Sequence, residues 1–178
     1  ELAARRAPGG ELVLLISRGE ALEQRAWAVN MLSNLHELRL ANYVVLRDDR
    51  AACASLLRMA AAFSGDLGGE VGCAWCKPSC LRALHLRPGE RRALNDLWLL
   101  RWWLASELLR LRLASVLVLD MDVHVAASPF PLLRAPPLSR AALIFERDRG
   151  PQRGAGLNAG CVWLSRESAA PGGPTHGL

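Results

Sequence analysis

The stretch Ser115-Val116-Leu117-Val118-Leu119 is apolar from its second residue onward, with no polar alternation. A strand with one wetted face alternates apolar and polar residues. A strand apolar on both faces must be covered on both, as a central strand of a parallel sheet is. The surrounding sequence supplies the covering elements. Leu12-Val13-Leu14-Leu15-Ile16-Ser17 follows a glycine pair and reads as a buried strand. Helical spacing then runs from about Glu20 to Leu38, with Leu22, Ala26, Val29 and Leu32 on one stripe. Asn42-Tyr43-Val44-Val45-Leu46 is a second strand, and Asp48 or Asp49 supplies the N-cap of a helix through Leu56, Leu57 and Met59. A long helix is expected from about Pro88 to Arg112, with Leu94, Trp98, Arg101, Trp102, Ala105 and Leu108 along one face. Two more short strands are expected at Ala141–Phe145 and Cys161–Leu164. Strand, helix, strand, helix in this order gives an α/β fold, a mostly parallel sheet with helices on both faces.

The chain has 178 residues, 51% of them hydrophobic and 22% charged, which allows one globular domain with a sizeable core. Residues 11–166 read as that domain, residues 1–10 as a flexible N-terminal segment and residues 167–178 as a flexible tail. Residues 64–89 are rich in Gly, Cys and Pro and read as a long surface loop. The net charge is +5, but the arginines are scattered among Leu and Ala along helices and form no basic run interleaved with aromatics. Nucleic acid is therefore not an expected partner. The most apolar stretch, Leu97 to Ala105, is broken by Arg101 and falls short of the ~20 residues that cross a bilayer. The sequence starts at Glu1 rather than Met, and a piece of a longer precursor is expected.

Strand Val116–Leu119 runs into Asp120-Met121-Asp122. Side chains two apart on an extended segment point the same way, so both carboxylates are expected on one side of the sheet edge. Ligands of open parallel sheets sit outside the carboxyl ends of the strands. Two carboxylates there make a hard-oxygen site for Mn²⁺ or Mg²⁺ with coordination positions left for a diphosphate. Acidic pairs after strands are also ordinary turn and cap residues. The five cysteines form neither a complete disulfide framework nor a clean zinc site. Cys73, Cys76 and Cys80 suit a local disulfide, or zinc with a fourth ligand such as His85.

Four motifs in order carry a resemblance. Leu100-Arg101-Trp102-Trp103-Leu104-Ala105, Val116-Leu117-Val118-Leu119-Asp120-Met121-Asp122-Val123, Ser128-Pro129-Phe130, and Leu157-Asn158-Ala159-Gly160-Cys161-Val162-Trp163-Leu164 together resemble the nucleotide-diphospho-sugar transferase family. These are GT-A-type (Rossmann-like) glycosyltransferases of plants and green algae, and the resemblance covers about residues 10–166. It implies that Asp120 and Asp122 hold the divalent cation bridging the donor's diphosphate. It also implies that Asn158 and Gly160 lie against the donor sugar, and that Arg101 lies near the diphosphate or sugar. Ser17 and Arg18 fall near the nucleobase in this fold. The sequence departs from the family at Leu113-Ala114, where a glycine is usual, and at Val123-His124 after the metal strand. Most of the family's C-terminal portion, which completes the acceptor side, is not in this sequence.

The implied activity is metal-dependent transfer of a sugar from a nucleoside-diphosphate donor, a UDP-sugar, to a glycan or glycoprotein acceptor with retention of configuration. The implied location is the Golgi lumen, with a membrane anchor in the full-length protein. No catalytic nucleophile or base is identified. Two other readings stand beside this one: an inactive truncated relative that keeps the fold, and a haloacid-dehalogenase-type phosphatase using Asp120 as nucleophile. Single residues have plainer readings too. Arg101 can snorkel from an apolar helix face, Asn158 and Gly160 can be turn residues, and His124 can be a satisfied structural histidine. Glu146 and Asp148, placed after a strand, can meet acceptor or simply be solvated.

Overall fold

A computed structural model describes residues 2–18, 22–47, 49–63, 71–76, 94–147 and 157–169. Six strands form one sheet: β1 (Glu11–Ile16), β2 (Tyr43–Arg47), β3 (Cys73–Trp75), β4 (Ser115–Asp120), β5 (Leu143–Arg147) and β6 (Leu157–Leu164). Their order across the sheet is β3-β2-β1-β4-β6-β5. The pairs β2–β3, β1–β2 and β1–β4 are parallel, while β6 runs antiparallel to both β4 and β5. The architecture is therefore a mostly parallel sheet with β1 and β4 at its centre. The helices are α1 (Leu2–Arg6), α2 (Leu22–Glu37), α3 (Arg50–Phe63), α4 (Leu94–Arg110) and α5 (Phe130–Arg134).

Alternation along the central strands divides the core in two. Val13 and Leu15 of β1, with Leu117 and Leu119 of β4, pack beneath Met31, Leu32 and Leu35 of α2 and Leu56 of α3. Leu12 and Leu14, with Val116 and Val118, pack on the other side against Ala105, Leu108 and Leu109 of α4. All eight of these strand residues are buried. This two-sided burial is why the strands lack polar alternation.

The structure departs from the sequence expectations in several places. Residues 2–6, read as flexible, form α1, and Arg166–Ala169 form a 3₁₀ turn at the start of the segment read as a tail. Cys73–Trp75, inside the expected loop, adds the edge strand β3 to β2. The long helix spans Leu94–Arg110, and its expected first turns lie outside the described residues. Strand β5 reaches Arg147, so Glu146 lies within it; Asp148 is outside the described residues. Strand β6 begins at Leu157, four residues earlier than expected, which takes Asn158 and Gly160 out of a turn and into the sheet.

Candidate donor site at the end of strand β4

The centre of the site is a buried ion pair. Arg101, in the middle of α4, is fully buried, and its Nη1 donates to Oδ1 of Asp120 at 2.5 Å. Its Nη2 donates to the carbonyl of Ala159 at 3.4 Å, and its guanidinium lies 4.8 Å from the Trp98 ring centre and 5.0 Å from that of Trp102. The snorkelling reading of Arg101 is therefore wrong. The residue occupies the face of α4 turned toward the sheet, between two rings that favour a cation on their π-faces. A guanidinium withdrawn from water needs an opposite charge. Asp120 supplies it from the last position of β4, with its own side chain 29% exposed.

Strand β6 approaches the same carboxylate from the other side. Leu119 pairs with Cys161, so the next residue of each strand, Asp120 and Gly160, meet at the edge of the ladder. A Cβ on Gly160 would lie 3.0 Å from both Asp120 Oδ2 and Asn158 Oδ1. The glycine is required for space and not for an unusual backbone angle, since Gly10 is the glycine with positive φ among the described residues. The β5–β6 register shifts here: Phe145 faces Val162, but Glu146 faces Asn158. At this bulge the side-chain Oδ1 of Asn158 accepts from the Gly160 N–H at 2.7 Å. Arg101, Asp120, Asn158 and Gly160, spread over sixty residues of sequence, thus converge on one strand end.

Asp122 sits differently from the expectation. The strand ends at Asp120, and Met121 and Asp122 form a turn in which the Val123 N–H donates to the Asp120 carbonyl at 3.3 Å. The alternation argument therefore does not extend to Asp122. Asp120 faces α4, whereas the exposed Asp122 borders an open groove of about 220 Å³ between this turn and α2. Trp27, Asn30, Met31 and Asn34 form the helix side of the groove, and Met121 to His124 the other. His124 is exposed there and is not a satisfied structural histidine.

One device in this region was not read from the sequence. The buried Asn34 side chain donates to the carbonyl of Val125 and accepts from its N–H, both at 2.9 Å. A single amide so pairs both backbone groups of one loop residue and holds the segment after Asp122 against α2. Asn34, set among the apolar residues Met31, Leu32 and Leu35, was the available signal.

Ser17, the remaining expected donor residue, follows β1 and is buried, its hydroxyl accepting from Arg47 Nη1 at 2.6 Å. Asp49 caps α3 through the N–H of Ala52 at 2.8 Å, in keeping with the cap reading; Asp48 lies outside the described residues. Cys73 is bonded to Cys53 of α3, 20 residues away, so its sulfur is not available to zinc or to a bond with Cys76. Cys76 is itself disulfide-bonded, and the expectations for Cys80 and His85 lie outside the described residues. Among the described residues no three His, Cys, Asp or Glu side chains are grouped to hold a metal, and no helix is long and apolar enough to cross a membrane.

No protein-family model matches the chain, and no curated protein matches it. Among solved structures the chain is similar to an active-site mutant of LgtC, at 19% identity over 87% of this chain and 57% of that one, with a TM-score of 0.48. It is also similar to the galactosyltransferase LgtC in complex with donor and acceptor sugar analogs, at 18% identity over 87% and 58% of the two chains and a TM-score of 0.46. A third similarity is to the glycosyltransferase GlyE of Streptococcus pneumoniae TIGR4, at 14% identity over 91% and 36% and a TM-score of 0.48. These neighbours are glycosyltransferases. The chain spans 57% of the first neighbour's length and 36% of GlyE's, and overlaps at this level leave the functional case to its own residues.

Proposed function

We propose that this chain carries the nucleotide-sugar site of a metal-dependent glycosyltransferase, and that the site is the end of β4. The observation that carries the reading is the convergence of Arg101, Asp120, Asn158 and Gly160 from three separate elements on one edge of the sheet. A buried arginine spent on one half-exposed carboxylate is costly in a purely structural role, because an apolar pair would serve the core as well. It is well suited to fixing the direction of a metal ligand.

The oxygen chemistry of Asp120 and Asp122 suits a hard divalent cation. Arg101 takes Oδ1 of Asp120 and leaves Oδ2, and exposed Asp122 adds a second carboxylate one turn residue on. Mg²⁺ and Mn²⁺ are commonly held by one or two carboxylates plus phosphate oxygens and water, so a group of three protein ligands is not required. Such a cation would neutralise the charge developing on the leaving diphosphate. The chain's own contributions are positional. Arg101 holds the carboxylate of Asp120 in one orientation, the missing Cβ of Gly160 leaves room beside it, and Asn34 fixes the loop that follows Asp122. Asn158, exposed on β6, would meet the donor sugar in this reading. A UDP-sugar donor, a glycan or glycoprotein acceptor, retention of configuration and a Golgi location accompany this reading.

Asp120 as a phosphatase nucleophile is the weaker reading, because Arg101 holds one of its carboxylate oxygens in a buried ion pair. Calorimetric titration of UDP with and without Mn²⁺ tests the proposal. UDP is expected to bind more tightly with Mn²⁺ in the native chain, and the gain is expected to vanish in Asp122→Asn. Equal affinity with and without the metal refutes it. A transferase assay on the same sample separates an active enzyme from a relative that keeps only nucleotide binding.

A further inference from the structure

We infer that the groove between α2 and the turn after β4 binds one pyranose ring, and that this ring belongs to the acceptor. The groove measures about 220 Å³ and is open to solvent on one side. That is below the roughly 300–1,000 Å³ of sites that enclose drug-sized ligands, and suits a single ring held on part of its surface. The chemistry of its walls is that of a neutral polyol site. Trp27 packs one part of its surface on the core and leaves the rest to the groove, a flat apolar face for the C–H face of a sugar. Met31 and Met121, both buried, supply an apolar floor. Asn30, Asp122 and His124, all exposed, provide amide, carboxylate and imidazole groups for hydroxyls around a ring edge.

An anionic ligand is a poor match. Among the described residues no lysine or arginine lines the groove, and Asp122 borders it, so a phosphate there would meet a carboxylate without a described counter-charge. The assignment to acceptor rests on the proposed donor site. The groove starts at Asp122, which in that reading also holds the cation that meets the donor's diphosphate, so a sugar in the groove stands next to the donor. Nearness of the two reactants is what a bimolecular transfer requires.

Saturation-transfer NMR with methyl β-D-galactopyranoside, methyl α-D-glucopyranoside and methyl α-D-mannopyranoside tests the inference. The same samples are titrated with UDP and Mn²⁺ and melted to verify folding. At least one glycoside is expected to receive saturation, with its ring C–H protons the most affected. Trp27→Ala should weaken the signal about fivefold or more, Trp27→Phe should retain much of it, and Asn30→Ala should reduce it. Neither Trp27→Ala nor Asn30→Ala should alter UDP affinity. Should Trp27→Ala destabilise the chain, Asn30→Ala, at an exposed position, still decides. No saturation of any glycoside overturns the inference, as does saturation unchanged in Trp27→Ala and Asn30→Ala, or displacement of the glycoside by uridine. UDP binding without glycoside binding removes this inference alone. Glycoside binding in the groove without UDP binding keeps the sugar site and removes the donor reading, and with it the acceptor assignment.

Discussion

Asp120→Asn and Asp122→Asn remove the same charge two residues apart, yet the structure makes them unequal in stability. Asp122 is exposed and bears no described contact with a buried charge, so its neutralisation should change stability by no more than about 0.5 kcal/mol. Asp120 is the counter-charge of Arg101, which is completely buried. Removing one partner of a fully buried pair costs about 3–5 kcal/mol. The Asp120 side chain is 29% exposed, so water reaches the pair and the cost falls to about 2–3 kcal/mol. For a chain of this size that is a fall in Tm of roughly 4–12 °C. The pair therefore overrides any relief of repulsion between the two carboxylates, which by itself would have made both variants as stable as the native chain or more so. Urea unfolding followed by tryptophan fluorescence measures the difference, and Arg101→Met combined with Asp120→Asn should recover part of the loss as a coupling energy. Equal midpoints for the two single variants, or strict additivity in the double one, would refute the reasoning.

Gly160→Ala should cost about 1–3 kcal/mol and impair Mn²⁺-dependent UDP binding, because its methyl group must displace Asp120 Oδ2 or Asn158 Oδ1; unfolding and calorimetry check both. Removing the Cys53–Cys73 bond, which closes a separation of 20 residues, should lower stability by about 3 kcal/mol, read as the shift in urea midpoint between the native chain and the Cys53→Ala, Cys73→Ala variant. Burial raises the pKa of the Cys161 thiol above its ordinary value, and nearby Glu146 raises it further. Its alkylation by iodoacetamide should accordingly be slower than that of a small free thiol at mildly alkaline pH, and should quicken in Glu146→Gln. The sign for stability follows: the folded thiol keeps its proton longer than the unfolded one, so its contribution is present below the ordinary thiol range and lost as pH rises through the raised pKa.

Strands β1, β2 and β4 were legible because two-sided burial writes itself into sequence as unbroken apolar runs. The first half of β6 was not. Leu157-Asn158-Ala159-Gly160 has weak strand preference, and it is extended because β5 pairs with it at Leu157 and Asn158 while β4 holds the residues that follow from Cys161 on. The antiparallel direction of β6 was equally hidden, since strand direction is decided across the sheet and not along the chain. β3 is three residues long and is held by β2 and by the bond from Cys73 to Cys53, so no local pattern announces it.

At the site, Asp120 and Asp122 could be named from their place after a buried strand, but not their different surroundings. Alternation holds only while the strand continues, and the turn at Met121 ends it. Arg101 stood out as a charge on an apolar helix face. Its partner, 19 residues on, is fixed by the packing of α4 against β4, which the sequence does not display. Asn34 and the groove beside it depend on a contact across 91 residues and left only an isolated polar residue as a trace.

Crystals of the chain soaked with UDP and MnCl₂, with data collected at the manganese absorption edge, test the central claim most directly. An anomalous peak is expected within coordination distance of Asp122 and of Asp120 Oδ2, beside the diphosphate, with the Arg101 contact to Oδ1 retained. A diphosphate bound elsewhere on the sheet edge, or at this edge with no manganese peak beside Asp120 and Asp122, would contradict it.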